Sequence, residues 1–224
     1  RPREVGEQVV LPLDVHDVGV LGDRPERPVV TDLHPGHRRV LAAVRERRVR
    51  REVLEAQFAA NVFGWHQLTC AVLPLMRANG GGRIVQCSSV LGLVALKWRG
   101  AYNASKFAIE ALSDTMRLEL RGSNIFVSLI EPGPITSRFT EHALKAFEGN
   151  IDQDNSHYRQ AYERQRARLG RGGSNRYKLG PEAVLEKLVH AVESPRPKAR
   201  YFVTKPTTYM SIARRILPQR VLDH

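Results

Sequence analysis

The chain has 224 residues, 42% of them hydrophobic, and a formal net charge of +12, enough for one large domain or two small ones around a sizeable core. No apolar run approaches the ~18 residues of a transmembrane helix. Cys70 and Cys87 form neither a disulfide framework nor a zinc pattern, which points to a reduced, cytoplasmic compartment and no metal site. The positive excess thickens after residue 158, in "YRQAYERQRARLGRGGSNRYK" and "RPKARYFVTK". It comes without a zinc finger, basic zipper or aromatic-interleaved RNA motif, so a solvated basic face is expected and no nucleic acid.

Residues 1–50 differ in kind from the rest. Arg and Val supply 21 of them, and Lys, Ile, Ser, Asn, Phe, Tyr, Trp, Cys and Met are absent. Apart from Thr31, every residue there can be written with a codon beginning in G or C, whereas residues 51–100 hold 14 whose codons must begin in A or T. In a GC-rich gene the third codon base is nearly always G or C, and a shifted frame makes it the first. The segment therefore reads as a frame error, a misjoined gene model or antisense-like reading; the other account is a genuine low-complexity basic linker. The chain starts at Arg1, so any initiator Met or signal peptide is expected outside it.

From residue 51 the pattern is regular. Leu54, Phe58, Val62, Trp65, Leu68, Val72 and Leu75 recur at helical spacing. Pro74 is expected to kink that helix, and residues 79–82 to stop it. "RIVQCSSV" reads as a short strand, residues 101–121 as a second helix ended by Gly122, and "NIFVSLIEPG" as a strand buried on both faces. Strand, helix, strand at this spacing is a βαβ unit with parallel strands and a right-handed crossover. Ser88–Ser89 and Pro132–Gly133 then share the carboxyl edge of the sheet, where ligands bind in open α/β folds. Two helices are expected at about 139–148 and 157–169. A third follows in "GPEAVLEKLVHAVES" with Pro181 in its first turn, then a last strand in "ARYFVT" and a mixed apolar and basic tail.

Tyr102 and Lys106 stand four apart, on one face of the second helix. A free phenol has a pKa of ~10, and lowering it by ~3 takes ~4 kcal/mol. A unit charge at ~4 Å supplies about that at an effective dielectric near 20, so Lys106 can make Tyr102 a general acid/base at neutral pH. Ser89, thirteen residues earlier, ends a strand on the ligand edge, where its hydroxyl can bond a carbonyl oxygen. Asn61 lies in mid-helix, an unfavourable place for Asn. "EPGPI" is a rigid turn whose backbone groups suit a planar amide. Taken singly, each has a plainer explanation: a surface Tyr beside a solvated Lys, a loop or cap Ser.

Together, "NVFG" (61–64), "GRIVQCSSVLG" (82–92), "YNASK" (102–106) and "VSLIEPGPI" (127–135) resemble the short-chain dehydrogenase/reductases, in that family's order and spacing, over residues 51 to about 220. "LGPEAV" and the tail resemble a bacterial branch near the retinol and 17β-hydroxysteroid dehydrogenases. The resemblance implies an α/β, Rossmann-like doubly wound parallel sheet, here incomplete at its N-terminal side, with residues 51–224 as the C-terminal part of the domain. It implies an NAD(P)-dependent oxidoreductase that interconverts an alcohol and a ketone or aldehyde, with NADP favoured over NAD.

Residue by residue, it makes Tyr102 the proton donor or acceptor. Lys106 would lower its pKa and hold the nicotinamide ribose. Ser89 would orient the carbonyl, and Asn61 would hold a water linking Lys106 to solvent. The backbone of Ile135, after Pro132–Gly133, would bind the carboxamide, with Thr136 or Ser137 adding a hydroxyl. Phe139, Phe147 and Tyr158, in the segment expected to shape the pocket, suggest a small apolar substrate.

The family's glycine-rich phosphate turn and its Asn-Asn-Ala-Gly are not found in residues 1–50, and "VGVLG" (18–22) lacks the glycine spacing. The other expectation is therefore a catalytically inactive scaffold or binding protein. Without the first strands, the strand at 83–88 should keep an unpaired edge, and residues 1–50 should be protease-sensitive. A homo-oligomer is possible on this pattern. The tail (207–222), with Met210, Ile212, Ile216 and Leu217, would pack on a partner subunit or cover the substrate cleft in preference to docking on a membrane.

Overall fold

The computed structural model describes residues 51–151, 156, 158–170 and 176–222. The readings made for residues 1–50 lie outside the described residues.

The first helical pattern is one rod with a wider turn in it. Helix α1 (Arg51–Phe58) runs into a π turn (Ala59–Phe63) and on into α2 (Gly64–Ala78), the Gly64 N–H bonding the Ala59 carbonyl. Pro74 lies inside α2. Past α2 the chain turns through Gly80 at φ 77°, a left-handed conformation that favours glycine, and enters strand β1 (Gly82–Cys87). Helix α3 (Gly100–Glu119) leads to strand β2 (Ile125–Glu131). Helices α4 (Phe139–Asn150), α5 (Arg159–Gly170) and α6 (Glu182–Glu193) follow, then strand β3 (Arg200–Phe202). The expected tail is helical: α7 (Lys205–Ile216) and α8 (Gln219–Leu222).

The three strands among the described residues are parallel in the order β1-β2-β3. Gly82 pairs with Ile125, Cys87 with Ile130, and Glu131 with Phe202. β2 is central and buried at every position but Phe126, as expected of a strand covered on both faces. On one face Ile84, Ile125 and Val127 pack with Leu73 and Met76 of α2 and Met116 of α3. Leu129 joins Val62 of the π turn and Ile109 of α3. On the other face Val85, Ile130 and Tyr201 pack with Val184, Leu188 and Ala191 of α6. Helices thus cover both faces of a parallel sheet, which is the doubly wound α/β arrangement. Among the described residues β1 pairs on one side only. Helices α4 and α5 close on each other through Phe147, Tyr162 and Leu169. No helix among the described residues is long and apolar enough to cross a membrane.

An ion cluster ties α3 to the sheet. Arg200, at the start of β3, donates to Glu131 at 2.5 Å, to Asp114 at 2.6 Å, and to Glu110. Glu131 is fully buried at the end of β2.

Candidate active site

The site forms where β1 and β2 end. The parallel ladder continues past both strands, Ser88 N–H to the Ile130 carbonyl at 2.8 Å and Val90 N–H to the Pro132 carbonyl at 2.9 Å. This fixes Ser88–Ser89 beside Pro132–Gly133 on the carboxyl edge, as the βαβ reading required. Ser89 is extended, and its Oγ accepts from the Leu91 N–H at 3.1 Å. That bond occupies a lone pair and leaves the hydroxyl proton free to donate.

The start of α3 is held by its third residue in from Gly100. Asn103 donates from Nδ2 to the Leu96 carbonyl at 2.9 Å, and its N–H bonds the Arg99 carbonyl. The loop it braces contains Trp98 at φ 67°, an uncommon conformation for a bulky residue and one found often at functional sites. Trp98 stacks edge-on against Tyr158 and Tyr162 at 5.5 and 5.4 Å between ring centroids. The loop before Tyr102 is thereby fastened to α5.

Tyr102 and Lys106 project from α3 one turn apart. The Ser89 hydroxyl lies near enough to the phenol to draw its pKa down. Lys106 is buried and donates from Nζ to the Cys87 carbonyl at 2.8 Å. Its ammonium stands 5.7 Å from the ring centroids of both Trp65 and Tyr102. Asn61, in the π turn, donates to Ser105 Oγ at 3.0 Å, and Ser105 donates to the Tyr102 carbonyl at 2.9 Å. The mid-helix Asn therefore sits where a wider turn aims it at α3. A cavity of about 20 Å³ borders Asn61, Trp65, Gln86 and Ser113, room for about one water.

The electrostatics differ from the reading of the sequence at one point. Burial raises Tyr102 above the ordinary phenol value, with the nearby Ser89 hydroxyl pulling the other way. Lys106 gives one donor to the Cys87 carbonyl, and burial lowers its own pKa against the opposing pulls of Cys87 and Glu110. Spacing of four residues guarantees adjacency but not the direction in which a long side chain points.

After β2 the chain passes α7 closely. A Cβ at Gly133 would stand 2.1 Å from Thr204 Oγ1 and 2.7 Å from Thr207 Oγ1, so only glycine fits. Ile135 then bridges to Leu179, Thr136 N–H bonding the Leu179 carbonyl at 2.8 Å and Leu179 N–H the Pro134 carbonyl at 3.1 Å. Such a bridge uses the groups either side of Ile135 and turns its own N–H and C=O the other way. Thr136 is exposed, whereas Ser137 is engaged by the Phe139 N–H. The Phe139 ring lies 5.4 Å from that of Tyr102, so this residue joins the site. Tyr158 and Phe147 belong to an aromatic cluster with Trp98 and Tyr162. Asn103, Ser105 and Trp98 escaped the sequence reading. The signal for the first two lay inside "YNASK" itself, as the polar residues of a helix face otherwise expected to be apolar.

Residues 41–147 match the short chain dehydrogenase family model. The chain is 47% identical over 175 residues to the uncharacterized oxidoreductase YbbO of Escherichia coli strain K12, covering 78% of this chain and 59% of that protein. It is 34% identical over 178 residues to the NADPH-dependent 3-dehydrocapnine reductase of Ornithobacterium rhinotracheale, covering 77% and 60%. It is 34% identical over 149 residues to human retinol dehydrogenase 8, covering 64% and 46%. Among solved structures, a short chain dehydrogenase from Burkholderia cenocepacia J2315 shares the fold with a TM-score of 0.57 at 19% identity, over 78% of this chain and 61% of that one. The chain spans about three fifths, or less, of the length of these relatives. Motifs, sheet and sequence likeness agree, and the chain belongs to the short-chain dehydrogenase/reductase family.

Proposed function

We propose that the protein is an NAD(P)-dependent oxidoreductase that interconverts an alcohol and a ketone or aldehyde at Ser89, Tyr102 and Lys106. The observation that carries this is the buried Lys106, bonded to the Cys87 carbonyl two residues before Ser89 with its ammonium 5.7 Å from the Tyr102 ring, at the carboxyl edge of the sheet. When bound, the nicotinamide would supply or accept the hydride. The residues present fit its nicotinamide end. Lys106 has three donors, of which the Cys87 carbonyl takes one, leaving two for ribose hydroxyls. Ile135 turns a backbone donor and acceptor outward, as a planar carboxamide needs. Thr136 is exposed beside them, and Pro132–Gly133 fixes the turn. NADP is favoured by the NADPH-dependent relative.

In reduction, Tyr102 gives its proton to the substrate oxygen while Ser89 donates a hydrogen bond to it. Lys106 stabilises the phenolate that results, and Asn61, beside a water-sized cavity, holds the path that returns a proton. Phe139 against the Tyr102 ring gives the pocket an apolar wall, which suits a small apolar alcohol or carbonyl compound. The test is turnover of such carbonyl compounds with NADPH, in a form that carries the family's glycine-rich turn and first strands. Tyr102→Phe should lower kcat by ~10²-fold or more and leave cofactor binding in place, and Lys106→Ala should damage both. A Tyr102→Phe enzyme that kept a tenth of its turnover would remove Tyr102 from the role.

A further inference from the structure

Helix α7 is amphipathic with its faces reversed. Its buried side is Thr207 and Ser211, with Thr204 just ahead of it. Its outward side is Tyr209, Met210, Ile212 and Ile216, the last 73% exposed. The exposed apolar surface continues through Leu217 and Val221 into α8. The buried hydroxyls satisfy one another and the helix backbone: Thr204 Oγ1 lies 3.0 Å from Thr207 Oγ1, and Ser211 donates to the Thr208 carbonyl at 2.8 Å. Small polar side chains thus seat the helix, and its large apolar ones take no part in the core. An ordinary surface helix does the opposite.

The charges follow the stripe. At about 100° per residue, Arg214 falls on the Met210 border of the apolar arc and Arg215 on the Ile212 border. Arg214 is anchored there, donating to the Leu93 carbonyl and lying 4.7 Å over the Phe107 ring. Residues 205–222 hold Lys205, Arg214, Arg215 and Arg220, and no Asp or Glu. The carboxylates that share a cavity with Arg214 and Arg215, Glu110 and Asp114, are held by Arg200.

We propose that α7 and α8 form a docking face for an anionic phospholipid bilayer. The helix would lie in the plane of the interface, its apolar stripe at the headgroup and acyl boundary and its arginines among the phosphates. A second copy of the chain is a poor occupant. A two-fold interface sets a patch against itself, which here places four cations against four with no acid between them. Covering the substrate cleft would bury the very side chains that stand exposed.

The test is flotation of the full chain with vesicles of phosphatidylcholine alone and of phosphatidylcholine mixed with phosphatidylglycerol. Binding is expected to the mixed vesicles only, and should weaken with salt. At roughly fivefold per basic residue near the surface, the double variant Arg215→Glu, Arg220→Glu should lower partitioning at least about a hundredfold. Ile216→Asp should remove it, with helicity by circular dichroism unchanged. Leu75→Asp, at an exposed leucine on α2, should change nothing. The proposal is overturned by no binding to the mixed vesicles, by equal binding to both, or by equal loss on Leu75→Asp. It is overturned too by a dimer in sedimentation that Ile216→Asp disperses while vesicles are ignored.

Discussion

Replacing Glu131 by Gln should stabilise the protein, and more so as pH rises. Glu131 is fully buried at the end of β2 and shares the Arg200 guanidinium with Glu110 and Asp114. One cation faces three carboxylates. Burial, and then the charge of Glu110, push Glu131 up from 4.5 to about 8, against the pull of Arg200. Glu110 Oε1 and Glu131 Oε2 are both buried without a hydrogen-bond partner, and a proton between the two groups would satisfy both. The folded protein therefore holds that proton more tightly than the unfolded chain. The stability it confers is complete below pH 4.5 and is lost as pH rises towards about 8. At 1.36 kcal/mol per pH unit, the loss is on the order of 3 kcal/mol by pH ~7 and 4–5 kcal/mol by pH ~9.

A Gln at this position keeps an oxygen for Arg200 and places an N–H donor towards Glu110, with no proton to lose. Urea unfolding of both proteins across pH 5–9, followed by circular dichroism, isolates the group. The midpoints should nearly coincide at the acid end and separate steadily above it, with the variant ahead by at least about 2 kcal/mol at the alkaline end, even after discounting for shared charges. A difference that stays constant across pH would refute the reasoning, because a packing effect has no proton in it.

Gly133→Ala should cost about 1–3 kcal/mol of stability by urea midpoint, since its methyl group would drive Thr204 and Thr207 apart; an unchanged midpoint would show that the turn has slack. Burial holds Tyr102 above the ordinary phenol value, so the absorbance titration of the chain minus that of Tyr102→Phe should show a phenol ionising above pH ~10. A difference midpoint near neutral would mean that Lys106 acts on it without the cofactor. Calorimetric titration of the 224-residue chain with NADPH and NADH should give no micromolar binding, because pyrophosphate is held by a glycine turn and the helix after it. Micromolar binding would show that residues 1–50 complete the site.

The sheet and the site edge were legible because they follow from local pattern. Apolar runs bounded by Gly and Pro marked β1 and β2, and the Ser89, Tyr102 and Lys106 spacing put the three candidate side chains on one edge. The π turn was not legible: one extra residue in a helical turn leaves the apolar spacing almost unchanged, and only the misplaced Asn61 hinted at it. The Arg200 cluster joins residues 69, 86 and 90 apart in sequence, and no periodicity reports such a distance. The apolar residues of the tail are plain in the sequence, but their outward direction in α7 is not: Thr207 and Ser211, residues expected outside, are the ones inside.

The π turn and the Arg200 cluster bear on the site through α3. Tyr102, Lys106, Glu110 and Asp114 recur every four residues, so a single helix face carries the phenol at one end and the ion cluster at the other. Ser105, fully buried, locks the same helix to Asn61 on the neighbouring π turn. Arg200 fixes the far end against β3. Glu110 belongs to both systems, since it pairs with Arg200 and its charge also opposes the loss of the proton from buried Lys106. A helix held near its start by the Ser105–Asn61 bond and past its middle by the Arg200 ion pairs can slide or turn only by breaking both, and the charge-assisted bonds are the expensive ones to break. The position of the Tyr102 hydroxyl opposite Ser89 is therefore set by contacts that never touch a substrate, which is why a buried Glu-Arg cluster stands so close to a site whose own chemistry does not need it.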